Sequence, residues 1–97
     1  MNLFITLYAE ARDIAGKGRL SIITDDVPPD LQALFNLLNE ETGGKLVGTV
    51  LTRNNDGMFE LGTGYRLMQN RKIIDTSHLI EIKPGDELGI LPPFSGG

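Results

Sequence analysis

The chain has no cysteine. That absence excludes a disulfide framework, a thiolate nucleophile and any metal site built on sulfur. Histidine occurs once, at His78 in "DTSHL". A metal site needs several more ligands beside it. A catalytic triad needs a nucleophile and an orienting acid placed in space, which the neighbouring Asp75 and Ser77 do not establish. A turn histidine is the simpler reading. Long apolar runs are also missing. No segment approaches the roughly 20 apolar residues that span a bilayer. The opening "MNLFITLYAEARD" carries no basic stretch ahead of an apolar one, so no secretory signal is expected and the default location is cytoplasmic. Basic residues are few, with 9 Lys and Arg against 13 Asp and Glu and a net charge of -4. Binding nucleic acid requires a basic face that displaces counterions from phosphate, so nucleic acid and anionic membrane are excluded as partners. A partner with a basic surface is compatible with this charge.

What is present suits one soluble domain. The 97 residues are 40% apolar and 23% charged, which is ordinary for a globular protein. "NLFITLY" alternates, with Leu3, Ile5 and Leu7 on one face and Phe4, Thr6 and Tyr8 on the other, as a half-buried strand does. "AEARDIAG" predicts one or two helical turns closed by Gly16. "RLSIIT" predicts a second strand, so the first two strands form a hairpin with a long connection. In "VPPDLQALFNLLNEETGG", Leu31, Leu34, Phe35 and Leu38 share one helical face. Pro29 suits the first turn, Asp30 the positive end of the helix, and Gly43 the left-handed closing residue. Beyond it, "LVGTVLT" reads as a short strand and "RNNDG" as a turn. "YRLMQNRKII" reads as a strand, a turn at Asn70-Arg71 and a further short strand. "KPGDE" is a turn, and "DELGILP" a last strand with Leu88 and Ile90 facing the core. One amphipathic helix against one sheet is a two-layer α+β domain. With the first and last strands parallel neighbours, it is a ubiquitin-like β-grasp: a mixed sheet of four to five strands on one main helix.

Three motifs fail on inspection. With Gly57 as the sixth position of a calcium loop, the first and twelfth positions are Thr52 and Thr63, and neither supplies the carboxylate the ion needs. "GKG" lacks the third glycine of a dinucleotide fingerprint. "GGK" lacks the other residues of a phosphate loop. No side-chain constellation supports an enzyme, and neither a cofactor nor a metal is expected.

The ending "LPPFSGG" is different. Pro92 and Pro93 stiffen the root of a tail that follows directly from a strand. Phe94 puts a large apolar ring where a solvated tail would want none. Gly96 and Gly97 have no Cβ and fit a channel too narrow for other residues. A domain of residues 1–91 thus carries a tail of residues 92–97 that reaches roughly 20 Å. The tail has the shape of a probe that delivers the Gly97 carboxylate into a pocket of another protein. A carboxylate is a poor electrophile, so a partner using ATP must activate it by adenylation. Sulfur can then replace one oxygen, on a chain with no thiol to compete.

Two stretches carry a resemblance. "PGDELGILPPFSGG" resembles the end of the molybdopterin synthase small-subunit family, and "LYAEARDIAGKGRLSI" resembles that family's segment after its first strand. "DLQALFNLL" and "RLMQNRKI" are similar to its helix and turn strand, with Asn70-Arg71 standing where the family has Asn-Gly. Extra length falls around "VLTRNNDGMFELGTGY". The resemblance implies a β-grasp sulfur carrier. An E1-like activating enzyme with ATP adenylates its terminal glycine, which is converted to a thiocarboxylate with sulfur from a sulfurtransferase. The tail then enters the large synthase subunit, where sulfur builds the dithiolene that holds molybdenum or tungsten. By that resemblance Gly97 is the reacting terminus, while Gly96, Phe94, Pro93 and Pro92 are partner-binding. Two other readings stay open. Small archaeal modifiers also resemble this family and end in Gly-Gly, so Gly97 is alternatively a point of conjugation to lysines. The third reading is a binding module whose terminus does nothing.

Overall fold

Strand β1 (Asn2–Leu7) buries Leu3, Ile5 and Leu7 and turns Phe4 outward, as its alternation requires. The computed structural model describes residues 2–76 and 81–93. Helix α1 (Ala9–Ala15) follows at once and buries only Ala11. Gly16 ends it at φ +77°, donating its N–H to the Arg12 carbonyl at 2.9 Å. Strand β2 (Arg19–Ile23) returns antiparallel to β1, from Asn2 opposite Ile23 to Thr6 opposite Arg19.

Helix α2 (Leu31–Glu41) buries Leu34, Phe35 and Leu38, while Leu31 packs half-buried at the margin of the core. Its start lies two residues later than Pro29 at the first helical position suggests. Asp30 is the cap: its backbone is extended at φ -155°, and its carboxylate accepts the Ala33 N–H at 2.8 Å. Pro29 therefore precedes the helix, and the side-chain cap decides the boundary. At the other end Gly43 and Gly44 both have positive φ. Gly43 donates to the Glu40 carbonyl at 3.1 Å and Gly44 to that of Asn39 at 2.9 Å. This paired closure satisfies two carbonyls that would otherwise lack partners.

Residues 46–64 depart most from expectation. Leu46 to Val50 do not form a strand. The Leu46 carbonyl accepts the N–H groups of Val50 and Leu51, each at 3.0 Å, and Gly48 sits at φ +98°. That coil buries Leu46, Val50 and Leu51 together. Strand β3 begins only at Leu51 and ends at Arg53. It pairs antiparallel with β4 (Phe59–Leu61), an element the sequence does not announce, and the two form a small separate sheet. The intervening turn is held by Asn54, whose side-chain oxygen accepts from the N–H groups of Asp56 and Met58. The outer edge of β4 is covered by α2: the Gln32 amide both accepts from the Phe59 N–H and donates to the Phe59 carbonyl. One side chain thus does the work of a neighbouring strand.

Strands β5 (Arg66–Gln69) and β6 (Lys72–Ile74) form a hairpin, and β7 (Glu87–Leu91) lies between β5 and β1. The order is β2-β1-β7-β5-β6, with β7 parallel to β1 and antiparallel to β5. The core face of this sheet carries Ile5, Leu20, Leu67, Leu88 and Ile90 against Leu34, Phe35 and Leu38. Burying each such side chain stabilises the fold by about 1.5–3 kcal/mol. The mixed sheet with one main helix across it is the ubiquitin-like β-grasp expected from the sequence.

Candidate functional site

Because β7 is central, the chain leaves the sheet from its middle rather than from an edge. Two features at opposite ends of β7 decide how. Before the strand, Asp86 is a hub. Its carboxylate accepts from the side chains of Gln69 at 2.7 Å and Asn70 at 2.9 Å, and from the Lys83 N–H at 2.8 Å. Burial pushes this carboxyl up. The hydrogen bonds from Asn70, Lys83 and Gln69, with the Lys83 charge, outweigh that and hold its pKa below the ordinary value. Asn70 completes the clamp by accepting the Glu87 N–H at 2.9 Å.

The exit end is built differently. Leu91 is the last paired residue, opposite Arg66. Pro92 has no N–H to donate to a ladder, and pairing with β5 stops at Leu91. Pro92 is half-buried and Pro93 exposed. Continuing the β7–β5 register past Leu91 places Gly64 across from Pro93. The two touch: a Cβ built on Gly64 would lie 2.8 Å from the Pro93 Cβ and 3.2 Å from its Cγ.

Gly64 belongs to a four-residue turn. The Tyr65 N–H donates to the Gly62 carbonyl at 2.9 Å, and Gly64 has φ +84°. This is the position of a type II turn that glycine favours. The turn is held from three sides. Gly62 donates to the Val50 carbonyl at 2.7 Å, and a Cβ there would lie 2.0 Å from the Thr49 oxygen. The Tyr65 hydroxyl donates to the Glu10 carboxylate at 3.0 Å, tying the turn to α1. Burial, then that hydrogen bond and the Glu10 charge, raise the pKa of the Tyr65 hydroxyl above its ordinary value, so it remains a donor.

Of the residues the sequence nominates, Pro92 and Pro93 stand at this root. Phe94, Gly96 and Gly97 lie outside the described residues, as does His78. The glycine turn beneath the root was not anticipated. Its only sequence signal is the pair of glycines in "LGTGY", inside the stretch that looked like added length. The sheet face away from the helices carries Phe4 and Ile73, 36% and 51% exposed, with Tyr8 at 38% beside them. Met68 and Tyr8 close over Gly89. Arg19 stacks on the Phe4 ring at 4.2 Å, and Arg71 pairs with Glu87 at 3.7 Å. Among the described residues no three His, Cys, Asp or Glu side chains form a group that would hold a metal ion, and no helix is long and apolar enough to cross a membrane.

Comparison with known proteins agrees with this fold. The family model described as ThiS family matches residues 5–97. The molybdopterin synthase sulfur carrier subunit of Drosophila yakuba is 32% identical over 100 residues, covering 100% of this chain and 92% of that protein. Its counterpart in Drosophila sechellia is 28% identical, with the same coverage. Among solved structures, SAMP1 from Haloferax volcanii superposes with a TM-score of 0.74 at 23% identity, covering 100% of both chains. The small archaeal modifier protein 1 from Methanosarcina acetivorans gives 0.66 at 24%, covering 99% of this chain and 96% of that one. At such identities these two structures speak for the fold alone.

Proposed function

The chain belongs to the ThiS family, and on that premise we propose that it is a sulfur carrier that supplies sulfur for molybdopterin synthesis as the small subunit of the synthase. The observation that carries this reading is the extent of the match, which runs through β7 and the proline root to the final Gly-Gly. The relatives 28–32% identical to it are named as the sulfur carrier subunit of that enzyme.

The domain of residues 1–91 is the handle and the tail of residues 92–97 the working end. Gly97 attacks the α-phosphate of ATP through its carboxylate, inside an E1-like activating enzyme, and pyrophosphate leaves. Sulfur at the oxidation level of sulfide, supplied by a sulfurtransferase, then displaces AMP and leaves a thiocarboxylate. The tail next enters the large synthase subunit and gives up its sulfur there. The carrier contributes no catalytic side chain. Gly96 keeps the tail slim, and Phe94 anchors it in an apolar pocket of the partner. The exposed ring of Phe4, with Tyr8 and Ile73, makes the open sheet face the apolar surface that such a partner would cover.

The test is an intact mass of the protein purified from its own cells. A shift equal to replacing one oxygen by sulfur at the C-terminus is expected. A population with only unmodified carboxylate, in cells actively making the cofactor, would count against the reading. Conjugation through Gly97 to lysines is the second reading, carried by the Gly-Gly ending that it would share with small archaeal modifiers. It predicts a ladder of conjugates on an immunoblot, in place of a partner of one defined size.

A further inference from the structure

We propose that Gly64 is a positioning residue: its bare Cα sets the direction in which the tail leaves the sheet, and thereby whether Gly97 reaches the activating centre. The inference rests on the sulfur-carrier reading for its consequence, but on Gly64 and Pro93 alone for its geometry.

The two residues face each other where the β5–β7 ladder would continue past Leu91. With the ladder stopped, no backbone hydrogen bond to a neighbouring strand orients Pro93 among the described residues. Van der Waals contact with the turn takes its place. That contact has no spare room, since a Cβ on Gly64 would come within 2.8 Å of the Pro93 Cβ, 3.2 Å of its Cγ and 3.4 Å of its Cα. Any side chain at position 64 therefore forces one partner to move.

The relative anchoring decides which partner moves. The turn is fixed by Gly62 against the Thr49 carbonyl, by the bond from Gly62 to Val50, and by the bond from Tyr65 to Glu10. Pro93 is exposed and followed by four residues to the end of the chain. Pro93 yields and the root of the tail swings. Four residues span at most about 13 Å, so a swing of about 20° carries the end of an extended tail through roughly 4–5 Å. Misplacement by about 1 Å at a reacting centre can cost about a hundredfold in rate. A partner that grips both the sheet face and the tail requires the right exit angle, and a bare Cα at position 64 maintains it.

The φ of +84° at Gly64 would itself strain an L side chain, so a control must carry that strain without the contact. Gly57 supplies it, with φ +77° and nothing within 4 Å of an added Cβ. Adenylation of each variant by the E1-like enzyme with ATP is the first measurement. Gly64→Ala should lower kcat/KM by about tenfold or more. Gly57→Ala should stay within about twofold of the parent. On a Pro93→Gly background, which removes the Cβ and Cγ that the methyl would strike, adding Gly64→Ala should cost less than about threefold. An equal loss on both backgrounds, or a parental rate in Gly64→Ala, overturns the proposal.

A second measurement is independent of any enzyme. A nitroxide on a cysteine placed at position 97, the chain's only thiol, broadens the amides that the tail end approaches. Gly64→Ala should change which amides are broadened, and Gly57→Ala should not. An unchanged pattern in Gly64→Ala overturns the positioning role. A parent chain that no activating enzyme adenylates, with the broadening changed as expected, overturns the sulfur-carrier reading and leaves the geometry standing.

Discussion

Phe94 is the one large apolar side chain proposed to work outside the packed domain. An aromatic ring that is solvated alone and buried on binding can dominate an interface. Phe94→Ala is expected to weaken affinity for the large subunit by on the order of 2 kcal/mol, near thirtyfold. The melting temperature should hardly change, and calorimetry together with a titration would separate the two. Asp86 makes a prediction of the opposite kind, on stability alone. Its folded-state pKa lies below its unfolded value. Its contribution is therefore fully present above the unfolded pKa and is lost as the pH falls through the folded one. Acidification from about pH 5 to below about pH 3 should lower the melting temperature. Asp86→Asn should melt lower at pH 7 and show a flatter acid limb. A limb as steep as the parent's would place that acid sensitivity elsewhere.

Elements differ in how openly their residues declare them. Helix α2 was legible because its apolar positions repeat at helical spacing and its cap is an aspartate. Strand β1 was legible because its alternation is clean. Strand β4 was not: three residues in "MFELG" hold no periodicity, and what completes the element is Gln32, 27 residues away. The coil at Leu46 imitated a strand because its residues are apolar and β-branched, whereas Gly48 at φ +98° bends the chain back on itself. The β5–β6 turn shows a cost that propensity alone reveals. Asn70 and Arg71 both have positive φ, at 52° and 69°, the pattern of a type I′ turn. Asn70 justifies its place by its bonds to Asp86 and Glu87. Among the described residues Arg71 has only an exposed ion pair at 3.7 Å, which is worth at most about 1 kcal/mol. A side chain in the left-handed region costs roughly 1–2 kcal/mol, and the extra unfolded-state freedom of glycine offsets about 0.5–1 of that. Arg71→Gly should raise stability by about 0.5 kcal/mol in urea titration. A clear loss would mean that the ion pair outweighs the strain.

At the scale of the whole molecule, the proposed function depends on where the Gly97 carboxylate lies relative to the sheet. Deleting Gly97 draws the carboxylate back by about 3.3 Å. One added glycine pushes it forward by as much. Both changes should nearly abolish thiocarboxylate formation, measured by intact mass after incubation with the activating enzyme, ATP and a sulfur source. Neither should change the melting temperature. Parental yields from both would mean that the terminus is not the working part. The net charge of -4 is likewise a property of the whole that misdescribes its parts. Arg66 alternates with the buried Leu67 and so shares the open face with Met68. Arg19, Arg66 and Arg71 therefore stand there against Glu87, and an acidic rim on a partner suits this face better than the basic surface that total charge suggests.

Strands β1, β2, β5, β6 and β7, the main helix, and the inward residues of β1 and β7 follow from the sequence alone, which also supplies the expectation of a working tail. Each depends on spacing within one segment: alternation for strands, a three-to-four repeat for the helix, and the absence of Cβ atoms at the terminus. The clamp of Asp86 on Asn70 and Gln69, the cover that Gln32 gives β4, and the contact of Gly64 with Pro93 came only with the tertiary structure. Each joins residues 16 to 29 positions apart. The Asp86 and Gly64 contacts close only when β7 inserts between β1 and β5, and the Gln32 contact only when α2 packs on β4; both depend on burying the apolar faces of several segments at once rather than on the preference of any one.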